Sequence, residues 1–175
     1  QGATGILAFG NPDLGSRDMD LPSAEEEVEA LAQSAGADVL VRQQASKAEF
    51  VKRQAAYRIL HFATHGEYDA EVPLKSALRL APATGSTGEL RAEDILALRV
   101  NADLVTMSAC ETGLGLNLRG DEMIGLNRAW LFAGARNIVA SLWKVDDKST
   151  ARLMGHFYRF LEDIDVENAL RLAQL

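Results

Sequence analysis

Two side chains of this chain suit nucleophilic catalysis, and each follows an apolar run. His65 lies in the segment HFATHG (residues 61–66), and Cys110 lies in SACETG (residues 108–113). A thiol becomes a strong nucleophile when a base within hydrogen-bond reach takes its proton, and histidine commonly serves as that base. A cysteine by itself is more often a small buried apolar residue. The function therefore depends on whether the fold brings His65 and Cys110 together.

Short β-rich runs alternate with amphipathic segments along the chain. The runs predict five strands, at residues 6–9, 38–43, 58–64, 103–109 and 137–143. Helices are predicted after the Ser23 to Glu26 and Ser46 to Glu49 capping boxes, the first ending at Gly36, and over residues 88–98, 122–135 and 149–163. Residues 76–90 predict an edge strand or hairpin arm followed by an exposed loop. This alternation indicates an α/β fold whose largely parallel sheet is covered by helices on both faces.

The proposed base and nucleophile each come directly after a predicted strand. In a parallel sheet, catalytic groups gather outside the carboxyl ends of the strands. Neighbouring strands are only about 4.8 Å apart, so His65 and Cys110 are predicted to face each other. The backbone N–H groups of Gly66 and Cys110 would then be available to bind an oxyanion. Such an arrangement fits acyl transfer.

Three motifs together resemble one known family. HFATHG, SACETGLG and GDEMIGLNRAWLFAGARNIVASLWKVDD are similar to the CHAT domains, caspase-like cysteine peptidases often fused to tetratricopeptide repeats and more distantly related to separase, gingipain and the caspases. The resemblance runs from ILAFGNP to the final helix. It implies a caspase-like three-layer α/β/α sandwich around a mostly parallel sheet. His65 matches the family's catalytic histidine and Cys110 its nucleophile.

The resemblance implies a cysteine endopeptidase that cleaves protein or peptide substrates without a metal or organic cofactor. A flanking repeat domain or a regulatory protein is expected to gate the site, and residues 111–121, with three glycines, are the predicted gating loop. A catalytically silent protein-interaction or scaffold domain of the same fold is the alternative. A cysteine-based α/β-hydrolase is disfavoured, because Ser108 and Thr112 occupy its glycine positions and the best histidine precedes the cysteine.

A caspase-like cleft also implies a pocket for the side chain before the scissile bond. The pocket would lie beside the nucleophile's strand and the next strand, and its candidate residues are Glu111, Ser141, Trp143, Asp146 and Asp147. A carboxylate that points into the pocket would favour a basic residue there. If the acids instead cap a helix or face solvent, an apolar residue is expected.

The other two histidines are predicted to be structural. His61 is expected to be a packed, hydrogen-bonded core residue, and His156 is expected to lie at the surface or at a packing boundary of its helix. Three histidines and one cysteine without zinc-ligand spacing indicate that there is no metal site.

Composition sets the remaining expectations. The chain has 175 residues, 47% of them hydrophobic, and we expect one domain over residues 1–175. A net charge of −7 argues against direct nucleic-acid binding. A single cysteine fits a reducing cytoplasm, and no apolar stretch approaches the roughly 20 residues that span a membrane. Because the sequence begins at Gln1 and ends in a helical pattern, we expect a fragment of a longer chain. The resemblance implies that a C-terminal strand is missing from it.

Overall fold

In the part of the chain that the structure describes, the centre is a sheet of five parallel strands. The computed structural model describes residues 4–69, 71–108, 110–111, 124–141 and 147–175. With strands numbered in chain order, this sheet contains β1 (Ile6–Pro12), β2 (Asp38–Arg42), β3 (Ile59–Ala63), β7 (Leu104–Met107) and β9 (Asn137–Ala140). Their spatial order is β2-β1-β3-β7-β9, and every neighbouring pair is parallel. All five predicted strands are present.

A second, smaller sheet adjoins the carboxyl ends of the central strands. Its members are β4 (His65–Glu67), β5 (Ala77–Arg79), β6 (Glu89–Arg91) and β8 (Cys110–Glu111). They lie in the order β6-β5-β4-β8, with only the β4–β8 pair parallel. The predicted hairpin arm is β5. The predicted helix over residues 88–98 is wrong in its first part, because Leu90 is fully buried opposite Leu78 in the β5–β6 ladder.

Within the described residues, six α-helices cover the two faces of the central sheet. They are α1 (Pro22–Ala35), α2 (Lys47–Arg53), α3 (Ala92–Leu96), α4 (Ile124–Ala133), α5 (Asp147–Leu161) and α6 (Val166–Ala173). Successive strand residues point to opposite faces. Accordingly, Phe9 packs with Phe50 of α2, whereas Ala8 belongs to the cluster that contains Val28 of α1 and Phe157 of α5. The predicted three-layer α/β/α sandwich is confirmed. Among the described helices, none is long and apolar enough to cross a membrane.

Helix ends follow the predicted signals in two cases out of three. The Ser46 hydroxyl caps α2 by accepting the Glu49 N–H at 3.3 Å, and Gly36 ends α1 in the left-handed conformation with φ of 64°. The capping box at Ser23 is wrong, because α1 already begins at Pro22, which needs no N–H partner in the first turn. Asn11 of β1 instead binds the residue before the helix, since its Oδ1 accepts the Leu21 N–H at 2.8 Å.

Candidate active site

His65 and Cys110 lie opposite each other on adjacent parallel strands. In the central sheet Phe62 of β3 pairs with Met107 of β7. Three residues further along each strand, His65 of β4 pairs with Cys110 of β8. Because the two pairs are three residues apart on both strands, the register of the central sheet continues into the second sheet. The predicted juxtaposition of these two residues is therefore present in the backbone.

Thr64 occupies the break between β3 and β4 and is held by hydrogen bonding. Thr64 is fully buried, and its hydroxyl donates to the carbonyl oxygen of Arg79 on β5. Across the break, the backbone N–H of Ser108 donates to the Phe62 carbonyl at 2.9 Å. These bonds tie the ends of β3 and β7 to each other and to the second sheet. His65 thus begins a strand whose position is fixed on several sides.

The strand order places a crevice beside His65. In an open sheet of order 2-1-3-4-5, which is the order found here, ligands bind outside the carboxyl ends of the first and third strands, where the connections diverge. The connection after β1 contains a 3₁₀ turn, Arg17–Met19, and His65 follows β3. The two meet, because Nε2 of His65 lies 2.8 Å from the carbonyl oxygen of Met19.

The contact with Met19 defines which nitrogen of His65 carries the proton. A carbonyl oxygen only accepts hydrogen bonds, so Nε2 is the donor and the neutral ring keeps its lone pair on Nδ1. Nδ1 is buried and has no hydrogen-bond partner within the described part of the chain. An imidazole nitrogen in this state can accept a proton. The sequence did not predict the role of Met19, because a backbone carbonyl has no signature in residue type.

Two side chains anchor the loop that carries Met19. Arg42 forms a two-pronged contact with the neighbouring Asp20, at 2.9 and 3.4 Å, and this hydrogen bonding raises the pKa of the Arg42 guanidinium. Asn11 donates to Glu25 at 2.9 Å and accepts the Leu21 N–H on the other side of the loop. Both Asn11 and Arg42 adopt the left-handed backbone conformation, with φ of 42° and 53°. Backbone of this kind persists only when the surrounding contacts hold it.

A buried polar cluster lies on the α1 and α5 face of the sheet. We call it the Glu27 cluster, and its members are Glu27, His61, Thr106, Ser108 and Tyr158, none more than 8% exposed. His61 Nδ1 is 3.0 Å from the Tyr158 hydroxyl, which donates to Thr106 at 2.9 Å. Burial raises the pKa of Tyr158 well above its ordinary value, so its phenol is neutral. His61 is the packed, hydrogen-bonded core residue that the sequence predicts.

The predicted specificity residues are only partly within the described structure. Ser141 directly follows β9 and is half-buried, and its N–H donates to the Met107 carbonyl at 3.4 Å. Glu111 pairs with Gly66 between β8 and β4, and Asp147 is the first residue of α5. Trp143, Asp146 and residues 112–121 of the predicted gating loop lie outside the described residues. His156 is exposed on α5, in keeping with the surface role predicted for it.

Metal ligands do not cluster in the described residues. Across the ranges that the structure covers, no group of three or more His, Cys, Asp or Glu side chains could hold a metal ion.

Comparison with known proteins relates the whole chain to one family. The family model described as CHAT domain matches residues 1–175. Tetratricopeptide repeat protein 28 of Mus musculus is 28% identical over 202 residues, which cover 90% of this chain and 8% of that protein. The Homo sapiens protein of the same name is 28% identical over 197 residues, which cover 87% of this chain and again 8% of the relative. This chain thus spans less than a tenth of these relatives.

A solved structure also resembles this fold. The Streptococcus pneumonia TIGR4 flavodoxin has a TM-score of 0.51 and 13% identity, and the match covers 91% of this chain and 98% of that chain. At this level of identity the likeness concerns the α/β fold alone.

Proposed function

The chain belongs to the CHAT domain family, a caspase-like family, and on this premise we propose that it is a cysteine endopeptidase with a His65–Cys110 dyad. The pairing of His65 with Cys110 across β4 and β8 carries the proposal. Strand spacing of about 4.8 Å brings the two backbones close enough for a base and a nucleophile to work together. Nδ1 of His65, which has no hydrogen-bond partner among the described residues, supplies the acceptor that such a pair needs.

In the proposed mechanism His65 first acts as a base. Nδ1 takes the proton of the Cys110 thiol while Nε2–H remains bonded to the Met19 carbonyl. The resulting thiolate attacks the carbonyl carbon of the scissile peptide bond, and the carbonyl oxygen becomes an oxyanion. When this intermediate collapses, the C–N bond breaks and the proton on Nδ1 passes to the leaving amine. Water, deprotonated by Nδ1, then cleaves the thioester, and the proton returns to the thiolate.

Backbone groups and nearby side chains complete the proposed site. The N–H groups of Gly66 and Cys110 are proposed to bind the oxyanion, where a preorganised donor contributes about 10²- to 10³-fold in rate. Gly66 lies next to His65 in β4 and pairs with Glu111. Glu111, Ser141, Trp143, Asp146 and Asp147 are proposed to line the pocket for the residue before the scissile bond.

Other parts of the full-length protein are proposed to control this site. The relatives found here are named for tetratricopeptide repeats, and this chain matches only 8% of each of them. We propose that a flanking repeat domain or a regulatory protein gates access of protein substrates to the dyad. The same observation favours the alternative, a CHAT domain that serves protein interaction without cleavage.

Peptide cleavage by the full-length protein tests the proposal. A peptide library is incubated with the wild type and with Cys110→Ala, His65→Ala and His156→Ala variants, and products are identified by mass spectrometry. His156 is the matched control, because it is an exposed histidine on α5. We expect the first two variants to lose about 10³-fold or more in turnover and His156→Ala to retain it.

Two results would contradict the peptidase proposal. Equal turnover by Cys110→Ala would remove Cys110 as the nucleophile. Absence of both cleavage and labelling by a thiol-directed peptide probe in the wild type, with its natural partners present, would favour the silent interaction domain.

A further inference from the structure

Glu27 on α1 contacts both strands that lead into the candidate site. Its Oε1 lies 2.9 Å from Nε2 of His61 on β3. Its Oε2 accepts the Ser108 hydroxyl at 3.1 Å, directly after β7. His61 precedes His65 by four residues, and Ser108 precedes Cys110 by two. One buried carboxylate therefore spans the two segments that position the proposed dyad.

The proton positions in the Glu27 cluster follow from its donors. The Tyr158 hydroxyl gives its hydrogen to Thr106, so His61 Nδ1–H donates to the Tyr158 oxygen. Nε2 of His61 then faces Oε1 of Glu27, in a geometry too bent for a hydrogen bond. The two groups are therefore in contact without a hydrogen bond, and the cluster as a whole contacts both carboxylate oxygens. Removing one member of such a buried pair leaves the other without compensation.

We propose that Glu27 is a positioning residue of the peptidase site, which holds His61 of β3 and Ser108 after β7 in place and thereby sets the approach of His65 to Cys110. This inference rests on the proposed function. Few residues separate each contact from the dyad, so a shift of Ser108 or His61 is passed along the chain to Cys110 or His65. A misplacement of about 1 Å can cost 10²-fold in rate.

A purely stabilising role predicts a different behaviour. If Glu27 only contributed to folding, its replacement would lower the melting temperature. The effect of His65 on the reactivity of the Cys110 thiol would then be unchanged. Val28 provides the comparison, because it is the next residue of α1, is fully buried, and packs in the apolar cluster of the same sheet face. A Val28→Ala variant lowers stability at a similarly buried position of the same helix and leaves the polar contacts of Glu27 in place.

The test measures thiol reactivity and turnover in the full-length protein. Alkylation of Cys110 by iodoacetamide at pH 7 is followed by mass spectrometry of the peptide that contains it, with and without His65→Ala. We expect His65 to accelerate alkylation at least tenfold in the wild type, since a nearby base increases the thiolate fraction. In Glu27→Gln this acceleration should fall below about threefold, and kcat for peptide cleavage should fall at least tenfold with KM within twofold.

Control variants decide between positioning and stability. Val28→Ala should keep both the acceleration and kcat within about twofold of the wild type, although its melting temperature falls. Ser108→Ala, which removes one hydroxyl, should give an intermediate loss and serves if Glu27→Gln does not fold.

Three results would overturn the inference about Glu27. The first is that Glu27→Gln keeps the wild-type acceleration of Cys110 alkylation by His65 and the wild-type kcat. The second is that Val28→Ala loses both to the same extent as Glu27→Gln. The third is an absence of His65-dependent alkylation in the wild type, which also removes the dyad. If the wild type cleaves no peptide but its alkylation depends on both His65 and Glu27, the endopeptidase proposal fails and the positioning role stands.

Discussion

His65 donates a hydrogen bond from Nε2 to the carbonyl oxygen of Met19, 2.8 Å away. The loop after β1 thereby holds the ring of a residue that follows β3, and it leaves Nδ1 as the proton acceptor. The side chain of Met19 is not part of this contact. The position of the loop, and not the identity of residue 19, is what the candidate site requires.

The first prediction concerns Asn11, which anchors this loop. Asn11→Ala removes two hydrogen bonds and places alanine at φ of 42°, so we expect the free energy of unfolding to fall by about 2–4 kcal/mol. Asn11→Gly loses the same bonds but tolerates the backbone, and should lose less. Urea denaturation measures both. Equal losses would show that the left-handed backbone at Asn11 does not affect the free energy of unfolding of Asn11→Ala.

Met19→Leu should leave peptide cleavage unchanged, because the side chain of Met19 is not part of the contact with His65.

The second prediction concerns the close packing of α1 on β1. A Cβ atom added at Gly10 would lie 2.3 Å from a Val28 methyl and 2.8 Å from the Ala24 carbonyl. We expect Gly10→Ala to lower the free energy of unfolding by about 1–3 kcal/mol through overpacking. Gly155 on α5 is the matched control, since its added Cβ meets no atom within 4 Å. Gly155→Ala should stabilise the helix by about 0.5–1 kcal/mol, and a stable Gly10→Ala would contradict the packing described here.

The third prediction is a loss of stability at alkaline pH that depends on Tyr158. Burial, more than its other contacts, raises the pKa of Tyr158 in the folded protein above the ordinary value of 10.0. Above pH 10 the unfolded chain therefore releases a proton that the folded protein keeps, and stability falls by up to about 1.4 kcal/mol per pH unit. Tyr158→Phe should be less stable at pH 8 by about 1 kcal/mol. Its deficit should shrink between pH 10 and 11 in urea titrations, and a constant deficit would argue against a buried neutral phenol.

The fourth prediction concerns cleavage specificity. If Asp147 faces the substrate pocket, the wild type should prefer a basic residue before the scissile bond. Asp147→Asn should then lower the ratio of kcat/KM for arginine over leucine peptides at least tenfold, because the buried arginine loses its counter-charge. Asp163→Asn, at an exposed acid beyond α5, is the control. An apolar preference that is the same in the wild type and in Asp147→Asn would remove the acidic pocket and leave the dyad unaffected.

Local patterns in the sequence predicted the strands and the helix layers of this protein well. Alternating apolar runs and amphipathic segments predicted the five parallel strands and the layers of helices, since side-chain period reports directly on burial. The ends of two such runs placed His65 opposite Cys110, because equivalent strand ends meet at one edge of a parallel sheet. Ser46 and Gly36 marked helix ends through short-range hydrogen bonding and backbone freedom.

Contacts between distant segments were decided by the tertiary structure. The strands of the second sheet contain two or three residues each, too few for a periodic signal. The sequence pattern of residues 88–98 therefore matched one helix, whereas in the folded protein Leu90 pairs with Leu78 in the β5–β6 ladder. Asn11 binds the Leu21 N–H in front of α1, because β1 brings its side chain there.

The finer arrangement of the site also depends on folding. The sequence by itself determined which residues could act as nucleophile and base, because their types and their places after strands are local properties. Only the folded chain brings the Met19 carbonyl to His65 and the Glu27 carboxylate to His61 and Ser108. These contacts join residues far apart in sequence, and a backbone carbonyl carries no pattern in residue type. Their geometry depends on how α1 and its preceding loop pack over the carboxyl ends of the sheet.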